Sequence, residues 1–192
     1  MLPLVLASSS QYRKTLLQRL EIPFAVVSPE VDESPLANEA PAALVQRLAE
    51  SKARAAAAAH PQALIIASDQ IALADDEVLG KPGGYDQAVR QLERLSGRRA
   101  TFMTALCLLN SGTGHLQMDV VPYTVEFREL ARGEIERYVA REKPFDCSGA
   151  FKSEGLGIAL VARFAGDDPA ALIGLPLIRL IDMLGKENVT VL

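Results

Sequence analysis

Leu64-Ile65-Ile66-Ala67-Ser68-Asp69-Gln70-Ile71-Ala72-Leu73 is the stretch whose reading decides the fold. It is apolar in both phases of a two-residue period, so a strand here has both faces covered. Such a strand belongs inside a layered α/β arrangement, not in a sheet with one wet face. The same stretch carries one carboxylate, Asp69. An isolated ionised carboxylate in such surroundings is costly. Asp69 therefore needs a metal, a cation or hydrogen bonds, and a single core cation would serve as well as a functional site.

Outward from this strand, elements of both kinds alternate. Strands are expected at 3–7 and 24–28, with helices at 11–20 and 41–59 and a loop at 29–40 between them. The tract Ala55–Ala59 continues the second helix. Beyond the central strand come a turn at Asp75-Asp76, a Gly-rich loop at 80–84 and a helix at 85–95, with Gly97 as its C-cap. A strand at 99–109, a hairpin turn over Asn110–Gly114 and a strand at 116–128 follow. A helix at 131–142 stops before Pro144. A loop at 145–155 feeds a strand at 156–163, and helices at 169–173 and 176–185 close the chain. Alternation with a hairpin in the middle predicts a mixed, partly antiparallel twisted sheet flanked by helices.

The bulk properties bound the function. The chain of 192 residues is 49% apolar and 23% charged, which suits one large domain or two closely packed lobes, read as a single domain over 1–192. No apolar run approaches the ~18 residues of a membrane span, and Met1–Ala7 lacks the basic start of a signal peptide. The two cysteines, Cys107 and Cys147, form no CxxC pair and no disulfide framework, so a reduced, cytoplasmic setting is expected. A net charge of −4 argues against a nucleic-acid polymer as partner. A small polyanion needs only a few cations at one place. His60 and His115 have no neighbouring ligand pattern for zinc, and the P-loop, G-x-S-x-G and G-x-G-x-x-G patterns are absent.

The informative charges fall on apolar stripes. Arg13 precedes Leu16 and Leu17 by three and four residues and shares their side of the first helix. Lys52 continues the buried row of Leu44 and Leu48, whereas Arg47, Glu50 and Arg54 fall on other faces and read as surface. Lys152 and Glu154 are in phase with Leu156, Ile158 and Leu160, and point coreward if the strand reaches back to them. Ser8-Ser9-Ser10, between a strand and a helix, can cap the helix and leave N–H groups for an anion. Lys81 sits in the loop Gly80–Gly84. Cations such as Arg13, Lys52, Lys81 and Lys152 can hold a triphosphate, and carboxylates such as Glu33 and Asp69 can hold a divalent metal and activate water.

These segments, in this order, resemble the Maf family of nucleotide pyrophosphatases along essentially the whole chain. The opening Leu6-Ala-Ser-Ser-Ser-Gln-Tyr-Arg13-Lys-Thr-Leu-Leu17 is similar to the family's first motif, and Pro29-Glu-Val-Asp32-Glu33 to its acidic loop. Ser51-Lys52-Ala, Ser68-Asp69-Gln70, Leu79-Gly80-Lys81-Pro82, Phe151-Lys152-Ser-Glu154-Gly155 and Gly174-Leu175-Pro176 are similar to the later ones. The resemblance implies a Maf/ITPase-like, two-lobed architecture with a central cleft. It implies Asp69 as catalytic proton acceptor, with Ser8, Arg13, Glu33, Lys52, Lys81 and Lys152 binding substrate. It implies Glu33 and Asp69 as holders of magnesium or manganese. Tyr12, Gln70 and Glu154 stand at positions tied to base selection. Members preferring dTTP and UTP typically have Thr after the central Asp and Gln in place of Glu154, so this chain is more similar to the branch acting on 7-methyl-GTP. That branch often has Trp at position 12; Tyr12 keeps a stacking face. The implied partner is a nucleoside triphosphate, with a homodimer as the implied assembly. Two alternatives stay open: a pyrophosphatase preferring dTTP or UTP, and a nucleotide-binding regulator of septum formation without turnover.

Overall fold

In the computed structural model, which describes residues 2–75 and 77–192, the apolar stretch around Asp69 forms β3 (Leu64–Ala74). Ahead of it come β1 (Leu4–Ala7), α1 (Gln11–Gln18), β2 (Phe24–Val27) and α2 (Pro41–Ala57). After it come β4 (Glu77–Leu79), α3 (Tyr85–Leu95), β5 (Arg99–Asn110), β6 (Leu116–Phe127), α4 (Arg132–Glu142), β7 (Val161–Ala165), α5 (Pro169–Ile173) and α6 (Leu177–Lys186). The strands make one seven-stranded sheet in the order β2-β1-β3-β5-β6-β7, with β4 paired to β3. β1 runs parallel to β2 and β3, with Leu4 opposite Phe24 and Leu64. β4 and β7 add antiparallel pairings, so the sheet is mixed, as the alternating pattern predicts. Among the described residues no helix is long and apolar enough to cross a membrane.

The chain divides into two compact units. Unit 1 comprises Met1–Asp69, Thr104–Val121 and Asp168–Leu192. Its strands bury alternate residues on opposite faces. Leu4, Leu6, Leu64, Ile66, Leu106 and Leu108 form one cluster with Leu16 and Leu17 of α1 and Leu177, Leu180, Met183 and Leu184 of α6. Val5, Ile65 and Cys107, on the other phase, are buried as well. The two-phase apolar reading of β3 is thereby accounted for. Asp168 organises the end of this unit: its two oxygens accept from Ala170 N at 3.0 Å and Ile178 N at 2.8 Å, capping α5 and fastening the first turn of α6. Gly174 lies between them at φ 123°, a conformation open to glycine.

Unit 2 comprises Gln70–Met103 and Pro122–Asp167. α3 packs against α4, and Phe151 stacks edge-on against Phe127 at 5.1 Å and tilted against Phe102 at 5.9 Å. Gly97 takes φ 68° beyond the end of α3, where a left-handed terminator is expected. Two features differ from the sequence reading. The three-residue β4 lacks a periodic signature, and pairing to β3 alone makes it a strand. The strand expected at 156–163 begins only at Val161; Leu156–Leu160 is a 3-10 turn with Ile158 57% exposed. The shared phase of Lys152 and Glu154 with that segment therefore carries no meaning, since 152–155 is loop. Of the expected turn at 75–76, Asp75 adopts φ 49°, and Asp76 lies outside the described residues.

Candidate active site

Unit 1 gathers five of the residues singled out by sequence. Lys52 projects from the buried face of α2, where its place in the Leu44–Leu48 row puts it. Its Nζ lies 2.5 Å from Asp69 Oδ1, at the unit 1 limit of β3, and 2.6 Å from Glu33 Oε1, on the loop between β2 and α2. The Lys52 and Asp69 side chains are 10% and 12% exposed, the Glu33 side chain 55%. Asp69 thus answers its burial with a cation, and a second carboxylate joins the same cation.

Arg13 completes the group. Ser10 caps α1 by accepting from Arg13 N at 3.4 Å, which seats Arg13 in the first turn. Arg13 Nε donates to Gly174 O at 2.9 Å, and Nη1 reaches Ser8 Oγ at 3.5 Å. Burial pulls the Arg13 guanidinium below its ordinary value, while the nearby charges of Asp69 and Glu33 push it back up. Ser8 is itself buried, its N–H bonded to Val27 O at 2.8 Å. Ser68, one residue before Asp69, donates Oγ to Gly174 O at 2.8 Å. One carbonyl, presented by a glycine at a corner between two helices, therefore anchors both Arg13 and the strand residue beside Asp69.

The remaining residues stand as follows. Tyr12 and Gln70 are half-buried, next in sequence to Arg13 and Asp69. In unit 2, Lys81 is exposed beside a hollow of about 360 Å³ between β4 and α3, whose walls include Arg90 and Arg94. Lys152 Nζ lies 2.8 Å from Glu142 Oε1, a pairing that raises the Lys152 ammonium above its ordinary value. Glu142 Oε2 also accepts from Leu156 N at 2.7 Å, tying down the loop that carries Glu154, itself exposed.

Sequence reading missed several supports. Glu142 has no local signature, and the motifs that contain Ser68 and Gly174 do not reveal that the two meet across the chain. Arg47, read as plain surface, is not so: it forks onto Glu39 with contacts of 2.6 and 2.8 Å. A carboxylate just before a helix and an Arg two turns into it was the available signal.

Fold and site together define a mixed α/β protein with a half-sequestered centre of two carboxylates and two cations. The family model described as Maf-like protein matches residues 3–187, and the chain belongs to that family. A Pseudomonas putida protein named 7-methyl-GTP pyrophosphatase is 56% identical over 191 residues, covering 100% of both chains. Proteins of the same name from Methylobacillus flagellatus, 56% identical over 99% of each chain, and Nitrosococcus oceani, 50% identical over 98% of this chain and 95% of its own, are also similar. Among solved structures, the Staphylococcus aureus Ham1 protein aligns with a TM-score of 0.48 and 16% identity, over 66% of this chain and 72% of its own.

Proposed function

We propose that this protein hydrolyses 7-methyl-GTP to 7-methyl-GMP and pyrophosphate, removing a modified nucleotide before it enters nucleic acid. The observation that carries the reading is the meeting of Asp69 and Glu33 on Lys52, with Arg13 in electrostatic reach. The full-length similarity to proteins named for that activity supports the substrate.

Asp69 takes a proton from water as the water oxygen bonds to the α-phosphorus. The bond from that phosphorus to the bridging oxygen breaks, and pyrophosphate leaves with the electron pair. Lys52 holds the Asp69 carboxylate in one orientation and supplies positive charge beside it. Arg13, its plane set by Gly174 O, offers N–H donors to the developing charge on phosphate oxygens.

The donor set fits a divalent ion. Magnesium takes one or two protein carboxylates and completes its shell with phosphate oxygens and water, and here two carboxylates already converge on one positive charge. Glu33 and Asp69 would hold magnesium or manganese, which when bound neutralises phosphate charge and acidifies water. Lys81 and Lys152 as phosphate ligands, and Tyr12, Gln70 and Glu154 in base selection, rest on their places in the family motifs. A carboxylate at Glu154 can accept from the N1–H and amine of guanine, and a cationic methylated base favours it further.

Pyrophosphate release with magnesium or manganese, measured across 7-methyl-GTP, GTP, dTTP, UTP and CTP, tests the proposal. Preferred turnover of 7-methyl-GTP is expected, falling ~10²–10⁴-fold in Asp69→Asn. Glu154→Gln is expected to alter base preference while sparing part of the turnover. Preference for dTTP or UTP would overturn the roles given to Gln70 and Glu154. Binding without turnover would overturn the enzymatic reading.

A further inference from the structure

Glu33 reaches Lys52 from a loop, residues 28–40, that has no helix or strand of its own. A 55%-exposed side chain on such a segment does not hold a fixed position unless the segment is fastened. The fastening is visible one residue further on. Arg47 of α2 sends Nε to Glu39 Oε1 at 2.6 Å and Nη2 to Glu39 Oε2 at 2.8 Å, and the same Nη2 donates to Ser34 O at 3.0 Å. Glu39 Oε2 also accepts from Leu36 N at 3.0 Å, and Glu39 N closes the turn on Leu36 O at 3.1 Å.

An exposed Arg–Glu pair is ordinarily worth little. This one is a two-point fork with the carboxylate side chain 7% exposed, and it grips loop backbone at Ser34 and Leu36. Lys52 stands five positions along the same helix. α2 therefore holds the loop twice, by the Glu33 carboxylate and by the peptide beside it.

We propose that Arg47 and Glu39 are positioning residues for the reaction, a clamp that sets Glu33 beside Lys52 and Asp69. The inference rests on the reading of Glu33 as part of the catalytic centre. Both act through Glu33. Loss of the clamp leaves the contacts of Ser8 and Arg13 in place, so the effect falls on kcat more than on nucleotide KM. Supporting residues of this kind are typically worth ~10–100-fold.

The test compares Arg47→Ala, Arg47→Lys, Glu39→Gln, Glu33→Gln and the double variant Arg47→Ala/Glu33→Gln by steady-state kinetics and hydrogen exchange. Arg47→Ala and Glu39→Gln are expected to lower kcat ~10–100-fold with nucleotide KM little changed. Arg47→Lys does not restore it, because one ammonium cannot bridge both oxygens and the carbonyl. The double variant is no slower than Glu33→Gln alone. Exchange rises across 32–39 and stays unchanged across 64–69, which also shows that the variant is folded. Where Arg47→Ala fails to fold, the near-isosteric Glu39→Gln enters the same cycle with Glu33→Gln. Additive losses, or wild-type kcat in the clamp variants beside an impaired Glu33→Gln, overturn the clamp alone. An unimpaired Glu33→Gln overturns the catalytic reading of Glu33, and the clamp with it.

Discussion

Replacing Lys52 by Met tests the centre through stability, independently of any substrate. Lys52 is 8% exposed, and its Nζ is shared by Asp69 at 2.5 Å and Glu33 at 2.6 Å. Methionine fills similar volume, so the loss is electrostatic and not one of packing. Removing one member of a buried pair costs ~3–5 kcal/mol, because the other is left charged and unpaired. Here the lower end applies. Glu33, 55% exposed, can turn to water at little cost, so only Asp69, 12% exposed, is stranded. A loss of ~3 kcal/mol corresponds to about 6–12 °C in Tm for a chain of this size. The assay is urea and thermal unfolding of Lys52→Met, Asp69→Asn and the double variant, without nucleotide or metal. The double variant is expected to recover at least ~1 kcal/mol relative to the summed single losses. A Lys52→Met protein with wild-type Tm, or a double variant whose losses simply add, refutes the argument that Lys52 and Asp69 compensate each other.

Three further outcomes are expected at Gly174, Glu39 and the two cysteines. Gly174→Ala forces φ 123° on a side-chain-bearing residue whose new Cβ meets Arg13 Nε at an ordinary 3.5 Å, so the cost is backbone strain of ~1–3 kcal/mol, read as a lower urea midpoint. Arg47 and the Leu36 N–H hold the Glu39 carboxyl down to about 2, below its ordinary 4.5. Its contribution to stability is then full above about pH 4.5 and lost as pH falls through about 2, so the stability gap between wild type and Glu39→Gln should narrow steadily over that window; a pH-independent gap would count against the pairing. Burial pushes the Cys107 thiol up to about 12, so iodoacetamide at neutral pH should label Cys147 in the native protein and reach Cys107 only after unfolding, as peptide mass spectrometry would show.

What the sequence determined by itself is what repeats locally or pairs charge with pattern. The two-phase apolar run at 64–73 made β3 a covered strand, the Leu44–Leu48 row turned Lys52 inward, and Ser10 and Gly97 marked helix ends. Each rests on backbone periodicity or on a capping group a few residues away, and both are written in consecutive residues. The ordered motifs carried the family for the same reason: they are strings. Tertiary structure alone decided that one lysine would gather carboxylates from β3 and from a loop 19 residues before it on the chain, since a hydrogen bond across |i−j| of 17 or 106 leaves no periodic trace. It likewise made 77–79 a strand through its neighbour, left 156–160 as a turn despite its alternating pattern, and turned Arg47 from a surface charge into a clamp. Short segments have too little propensity to resist their surroundings, and a polar side chain finds its partner only once the folded chain brings one within reach.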